Sequence, residues 1–248
     1  MSSSEPRPPC AAPNCPSSLE TLRQLLRASA RQGDAAFLQR FFKTGPGQYG
    51  EGDRFLGVRV PATRQVSRQS DGLSLDEVQA LLHSPWHEER LLALLILVRR
   101  FERGDLARRQ KIYRLYLRQT RFINNWDLVD LSAPNIVGAW LLDQPRSALD
   151  PLAQSANLWE RRISVLATLA FIRQGEFADT LRLCEGLLDE GHDLMHKACG
   201  WMLREVGKRD PGALEGFLQR HATRMPRTML RYAIEKFPEP QRKAWLAA

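Results

Sequence analysis

Apolar residues recur at positions i, i+3, i+4 and i+7 along almost the whole chain from Ser18 onward, the pattern of helices that bury one face. Segments that show it include SLETLRQLLRASA, DAAFLQRFFK, SLDEVQALLHS, HEERLLALLILVRRF and ARRQKIYRLYLRQ. No run of alternating β-branched residues predicts a strand. Residues 44–61 interrupt the pattern with several Gly and Pro residues and are predicted to form a long loop. The chain is therefore predicted to be all-α.

The helical pattern also repeats. Three segments consist of a helix end, a short polar break and an apolar helix that carries a basic residue in its first turn. They are LLHSPWHEERLLALLILVRRF, LAQSANLWERRISVLATLAFI and LLDEGHDLMHKACGWMLREVG, with Arg90, Arg162 and Lys197 as the basic residues. Steps of similar length along the chain add Trp126, 36 residues after Arg90, and Arg231, 34 residues after Lys197. Five units spaced by 36, 36, 35 and 34 residues predict a right-handed solenoid of HEAT-like helical hairpins.

Equivalent positions on the second helices of such a solenoid lie side by side on a concave face. The five first-turn residues should therefore form one row, and the residues one turn later a second row: Leu94, Asp130, Leu166, Trp201 and Glu235. The rows predict a basic groove with Trp126, Trp201 and Asp130 at its centre. The alternatives are that the tryptophans pack in the core and that Asp130 is structural, because Pro134 disturbs the same helix.

Charge points to a polyanionic partner. The chain has 36 basic and 28 acidic residues, for a formal net charge of +8. Residues 99–121 contain nine of the basic residues and two acids, and Lys111, Arg114 and Arg118 form one stripe of a predicted helix. Such a stripe fits a phosphate backbone. The alternative is ordinary surface charge in an arginine-rich chain.

Other features limit the range of functions. The longest apolar run, residues 91–98, is too short for a membrane span, and no secretory signal is visible, so the protein is expected to be cytoplasmic, or nucleoid-associated in a bacterium. Residues 1–17 are predicted to be a disordered Pro/Ser-rich tail that precedes a single domain over residues 18–248. The four cysteines form no CxxC pair, and only His192 and His196 have a metal-ligand spacing. No metal, cofactor or membrane partner is predicted, and a monomer is expected.

Four strings in order, FLGVRVPATR, NNWDLVD, LWERRISVL and HKACGWMLREVGK, resemble the AlkD-like DNA alkylation repair enzymes, which are DNA glycosylases built of HEAT-like repeats. The resemblance extends from about residue 20 to 237. It implies that Trp126, Asp130 and Trp201 are catalytic and that Arg162 contacts DNA. The chain departs from the family at Asn125, where another Trp can occur, and at Phe41, where a hydroxyl-bearing aromatic can contact DNA. Its loop over residues 44–54 also looks longer, which affects the expected range of lesions.

The resemblance implies excision of cationic N3- and N7-alkylated purines, such as 3-methyladenine and 7-methylguanine, from duplex DNA in base excision repair. A cationic base leaves without a general acid, so one carboxylate can suffice to stabilise the sugar cation. The residues predicted to contact DNA are Arg162, Lys197, Arg90, Arg231, Lys111, Arg114, Arg118 and Phe41. Two alternatives remain. One is a non-catalytic HEAT-type scaffold that binds nucleic acid or protein, and the other is an inactive relative that only recognises damaged DNA.

Overall fold

A computed structural model describes residues 18–247 of the chain. The predicted tail over residues 1–17, with Cys10 and Cys15, lies outside the described residues. Within residues 18–247 the chain forms helices and no strand, apart from one isolated bridge between Arg54 and Trp86. The prediction of an all-α fold is therefore confirmed. No helix in this range is long and apolar enough to cross a membrane.

The α-helices of the described residues follow one another in chain order. They are α1 Leu19–Ala28, α2 Asp34–Phe41, α3 Val60–Ser67, α4 Leu75–Leu82, α5 His87–Arg103, α6 Leu106–Arg118, α7 Trp126–Ala133, α8 Ala139–Leu141, α9 Leu149–Ala153, α10 Leu158–Ala167, α11 Leu169–Arg173, α12 Ala178–Gly186, α13 Asp193–Gly207, α14 Pro211–His221, α15 Arg227–Ala233 and α16 Glu239–Ala247. Short 3-10 turns occur at Thr120–Phe122 and Arg146–Ala148, and a π-helical segment at Pro134–Gly138.

Local sequence explains where several of these helices begin. The side chains of Ser18, Asp105 and Asp210 each accept a hydrogen bond from a backbone N–H of the first helical turn that follows. Ser74 forms a capping box with Glu77 at the start of α4. The region predicted to be a long loop contains no helix between the end of α2 and the start of α3.

The chain divides into two compact units. The first contains the described residues up to Phe41 together with Asp53–Ile96. Buried acids of its segment HEER hold this unit together. Glu88 accepts the backbone N–H groups of Leu56, Gly57 and Val58 at 2.8 to 3.0 Å, and is 1% exposed. These bonds fix the chain before α3, because buried N–H groups need a partner.

The second unit contains Phe42–Gly52 and the described residues from Leu97 onward. Helices α7, α10, α13 and α15 are successive neighbours, and α10 and α13 also pack against the helices that precede them in their hairpins, α9 and α12. This arrangement is the stack of helical hairpins that the repeat predicted. The four helices begin at residues 126, 158, 193 and 227, which are 32, 35 and 34 residues apart. The first step is therefore shorter than the other two.

The uneven first step corrects the predicted rows. Arg162, Lys197 and Arg231 are each the fifth residue of their helices, whereas Trp126 is the first residue of α7. Asp130 is the fifth residue of α7 and is therefore level with Arg162. The expectation that Trp126 shares a row with Arg162 is wrong, because the polar break before α7 differs in length from the later ones.

Close helix packing depends on Gly138, the last residue of the π-helical segment. A Cβ atom at this position would clash with the backbone carbonyl of Ala167, at the end of α10, and would meet the Ala170 side chain at 2.9 Å. Backbone on one side and a packed methyl group on the other leave little room to adjust. A residue without a side chain is therefore required where this segment passes α10 and α11.

Gly138→Ala is expected to lower the free energy of unfolding by about 1 to 3 kcal/mol because it overpacks this contact. Gly186→Ala is the matched control: no atom lies within 4 Å of its added Cβ, and it ends α12. The control should be neutral or stabilising by up to about 1 kcal/mol. Urea titrations of both variants measure the difference, and equal stability would contradict the packing argument.

Candidate active site

Helix α7 places Trp126 and Asp130 on one face. The Asn125 side chain, which is fully buried, accepts the backbone N–H of Trp126 at 2.9 Å and so caps the start of the helix. Asp130 lies one helical turn after Trp126, so both side chains project on the same side of α7. Both are partly exposed, whereas the intervening Leu128 and Val129 are buried.

Asp130 points away from α6. The Ser132 hydroxyl, two residues later on α7, contacts the Tyr116 hydroxyl of α6 at 2.9 Å. At 3.6 residues per turn, Asp130 and Ser132 are about 160° apart around the helix. The Tyr116 side chain of α6 therefore meets one side of α7, and Asp130 projects from the other side. We call the surface that carries Trp126 and Asp130 the Asp130 face.

Arg162 of α10 binds the Asp130 carboxylate with two hydrogen bonds. Its Nε and Nη2 atoms donate to the two carboxylate oxygens at 2.8 Å each, while Nη1 donates to the Leu194 carbonyl of α13 at 2.5 Å. The Arg162 side chain is 5% exposed and that of Asp130 is 14% exposed. The carboxylate is thus the member of the pair nearer to solvent, and a ligand on this face would meet negative charge first.

Burial raises the pKa of the Asp130 carboxyl above its ordinary value, because removal from water disfavours the charged form. The charge and hydrogen bonds of Arg162 oppose this rise, and the nearby charge of Asp127 adds to it. Both carboxylate oxygens accept a hydrogen bond from the guanidinium, which fits the ionised acid. The pair therefore presents a fixed, partly desolvated carboxylate.

Two aromatic residues of the Phe42–Gly52 segment, which we call the 42–52 segment, pack against tryptophans of α7 and α10. The buried Phe42 ring stacks on the Trp126 indole with centroids 5.1 Å apart and an interplanar angle of 23°. The Tyr49 ring meets Trp159 of α10 edge to face at 6.2 Å. The sequence had indicated only a glycine-rich loop here, so both residues were missed.

Helix α13 contributes Lys197 and Trp201, one turn apart on the same side. Lys197 pairs with Asp193 at 2.7 Å, and this hydrogen bond raises the pKa of the lysine. Burial raises the pKa of the Tyr49 hydroxyl, and the charges of Lys197 and Arg162 oppose this rise. The indole N–H of Trp201 donates to Glu205 at 3.2 Å, a partner on its own helix that the sequence reasoning did not identify.

A family model described as DNA alkylation repair enzyme matches residues 22–237. The chain belongs to this family. A solved structure described as a predicted DNA alkylation repair enzyme from Enterococcus faecalis is similar with a TM-score of 0.66 at 16% identity, covering 85% of this chain and 98% of that one. At this identity the likeness shows the fold. Among curated proteins no sequence relative is detected.

Two of the residues that were predicted to contact DNA lie in the first unit. Arg90 is 5% exposed, forms an ion pair with the buried Asp53 and donates to the Ser84 carbonyl at 3.1 Å. Its guanidinium therefore has a structural role inside that unit. Phe41, in contrast, is 53% exposed and its ring stacks against that of Phe37 at 6.0 Å.

The predicted basic stripe lies on the far side of α6. Lys111, Arg114 and Arg118 are exposed, and they are about 140° to 160° around the helix from Tyr116, which faces α7. Because Asp130 is on the opposite side of α7, the stripe and the Asp130 face point in opposite directions. The structure therefore does not bring these three residues together with the catalytic candidates. Arg231 is exposed on α15, next to α13.

The two histidines with metal-ligand spacing are engaged in local bonds. His192 Nδ1 accepts the Leu194 N–H at 3.1 Å and caps α13, and His196 Nε2 contacts the Glu190 carbonyl at 2.5 Å. Among the described residues no group of three His, Cys, Asp or Glu side chains is placed to hold a metal ion. Cys184 and Cys199 are buried free thiols.

Lys197→Ala is expected to weaken binding of duplex DNA without dependence on base sequence. One lost phosphate contact should reduce the slope of log K against log salt by about 0.9. Lys111→Ala removes the same charge from the outer side of α6 and is the matched control. Fluorescence anisotropy over a salt series measures both slopes. A larger loss for the control would place DNA on the α6 surface instead.

Proposed function

We propose that this DNA alkylation repair enzyme is a monofunctional DNA glycosylase that removes cationic N3- and N7-alkylated purines from duplex DNA. The observation that supports this most directly is a desolvated carboxylate, held by a buried arginine on the same helix face as a tryptophan. The protein would act as a monomer on duplex DNA, without a metal or organic cofactor.

The proposed reaction requires a negative charge beside the sugar and no proton donor for the leaving base. In a purine alkylated at N3 or N7 the base is already cationic, so when the C1′–N bond breaks the electron pair neutralises the base and no proton donor is required. Positive charge then develops on the sugar. The Asp130 carboxylate can stabilise that charge, which is the role acidic residues have in glycoside hydrolysis. Water adds its oxygen to C1′ and loses a proton.

Arg162 acts in this proposal through Asp130 rather than on DNA. Three of its nitrogens already donate to Asp130 and Leu194, and its side chain is 5% exposed. A bidentate partner fixes both oxygens of the carboxylate, so the charge is in place before the sugar cation forms. This replaces a phosphate contact as the proposed role of Arg162.

Trp126 and Trp201 are proposed to interact with the cationic base and sugar. Aromatic ring faces attract cations by about 0.5 to 2 kcal/mol, and more when the site is desolvated. Both residues are half-buried, so their rings can contribute surface to a ligand without leaving their helices. Lys197, one turn before Trp201, is the proposed phosphate contact nearest to them.

Asp130→Asn tests the proposal, because it preserves the shape of the side chain and removes its charge. Release of 7-methylguanine and 3-methyladenine from methylated duplex DNA should fall by about 10²- to 10³-fold, while DNA affinity is unchanged or slightly higher. Wild-type protein that binds this DNA but releases no base would identify a non-catalytic binding protein.

Asp127→Asn is the matched control on the same helix. The Asp127 carboxylate accepts the Leu128 N–H at 2.9 Å in the first turn of α7, a position where loss of the charge costs about 0.3 to 1 kcal/mol of stability. An amide oxygen can still accept this bond, so excision should stay close to the wild-type rate. An inactive Asp127→Asn variant beside an active Asp130→Asn variant would exclude Asp130 as the catalytic carboxylate.

The pH dependence of excision follows from the raised pKa of Asp130. Only the ionised carboxylate stabilises a cation, so the rate should fall on the acid side with a midpoint above 3.8, the ordinary value for Asp. Arg162→Lys should move this midpoint to higher pH, because it weakens the two hydrogen bonds that oppose the rise. Single-turnover rates, corrected for spontaneous base loss, measure the midpoints. A shift toward lower pH in Arg162→Lys would contradict the assignment.

A further inference from the structure

Helix α13 carries an acid on the side that is proposed to meet DNA. Glu205 lies one turn after Trp201, as Lys197 lies one turn before it, so the three side chains project on the same side of the helix. A carboxylate on this side repels the phosphate backbone. Its presence there is explained by a local contact, which it makes with Trp201.

The Trp201 indole donates its N–H to the Glu205 carboxylate. The distance from the indole Nε1 to Oε1 of Glu205 is 3.2 Å, and the Glu205 side chain is 15% exposed. An indole has one N–H donor and no acceptor, so this contact satisfies the polar group of the Trp201 side chain. Both residues belong to α13, and the bond therefore relates the ring to the axis of its own helix.

We propose that Glu205 is a positioning residue for Trp201: its carboxylate accepts the indole N–H and holds the ring in the orientation that the excision reaction uses. The expected effect on rate rests on the proposed function, whereas the restraint on the ring rests on the hydrogen bond alone. The sequence pattern assigned no role to Glu205.

The backbone of α13 beside Trp201 is fixed by close packing on α15. A Cβ atom at Gly200 would lie 2.5 Å from the Met229 carbonyl oxygen and 2.5 Å from the Cβ atom of Tyr232. The two helices thus approach each other closely at the residue before Trp201, which leaves little room for the backbone to move. The indole can still rotate about its side-chain bonds, and the hydrogen bond to Glu205 restrains that rotation.

Three cations surround the Glu205 carboxylate. Lys208 Nζ is 2.6 Å from Oε1, Arg209 Nη1 is 3.8 Å from Oε2, and Arg204 Nε is 4.0 Å from Oε1. Arg204 also forms an ion pair with Glu235, which follows α15 in the chain. An ionised carboxylate accepts hydrogen bonds and donates none, so it matches the indole N–H. The neighbouring cations anchor this acceptor and offset its charge toward DNA phosphates.

Glu205→Ala and Glu205→Gln test the positioning role without any activity measurement. The indole N–H resonance of Trp201 in ¹⁵N-labelled protein is identified by its loss in Trp201→Phe. In Glu205→Ala this resonance should move upfield and exchange faster with solvent, because the acceptor is lost. Glu205→Gln retains an oxygen acceptor, so the resonance should stay close to its wild-type position.

Glu176→Ala is the matched control, since it removes a carboxylate that pairs with Arg146 at 2.7 Å instead of with an indole. The Trp201 resonance should not change in this variant. An unchanged resonance in Glu205→Ala would overturn the proposal, whatever the protein catalyses. Equal shifts in Glu205→Ala and Glu205→Gln would also overturn it, because the carboxylate would then act through its charge and not as an acceptor.

A kinetic cycle tests the effect on the reaction. Glu205→Ala should slow single-turnover excision about 3- to 10-fold, as expected for loss of one hydrogen bond, and Glu205→Gln should stay within about 2-fold of wild type. Affinity for DNA should be unchanged or slightly higher in both, because a negative charge is removed. In a Trp201→Phe background Glu205→Ala should have no further effect, because the indole N–H is already absent. An equal loss in both backgrounds, or a loss of affinity in place of rate, would refute positioning through Trp201.

Discussion

The ion pair between Asp130 and Arg162 is the interaction on which the second unit and its candidate site depend. One guanidinium bonds to α7 through the Asp130 carboxylate and to α13 through the Leu194 carbonyl, while its own stem belongs to α10. Three consecutive inner helices are thus linked through a single side chain. Removing either partner would leave a buried charge unpaired, at a cost of about 3 to 5 kcal/mol.

The same pair explains how a stable fold can retain a reactive carboxylate. A lone buried carboxylate would tend to take up a proton, since burial raises the pKa of Asp130. The guanidinium opposes that rise while leaving the carboxylate the more exposed partner. One contact therefore combines a structural role with a chemical one. Asp130 can link helices and still present a reactive carboxylate.

Aromatic contacts complete the site from a part of the chain that has no regular structure. The Asn125 cap sets where α7 begins, and the Phe42 ring of the 42–52 segment stacks on the Trp126 indole. The residues that flank this segment in the chain, Phe41 and Asp53, belong to the first unit, and the segment itself belongs to the second. A glycine-rich sequence allows this excursion because Gly50 permits backbone to approach backbone.

The helices, the hairpin repeat and the family could be predicted from the sequence, together with Trp126, Asp130, Trp201 and Arg162 as candidate site residues. These depend on periodicity and on short motifs, which are local properties. The register of the first repeat depends on tertiary packing, and so do the burial of Arg90 and the side of α6 on which Lys111 lies. Tertiary packing also brings Phe42 onto the Trp126 indole. A helical pattern of apolar residues shows which face of a helix is buried. The neighbour that this face meets depends on the lengths of the connecting segments, on which helices pair, and on the course of the loops.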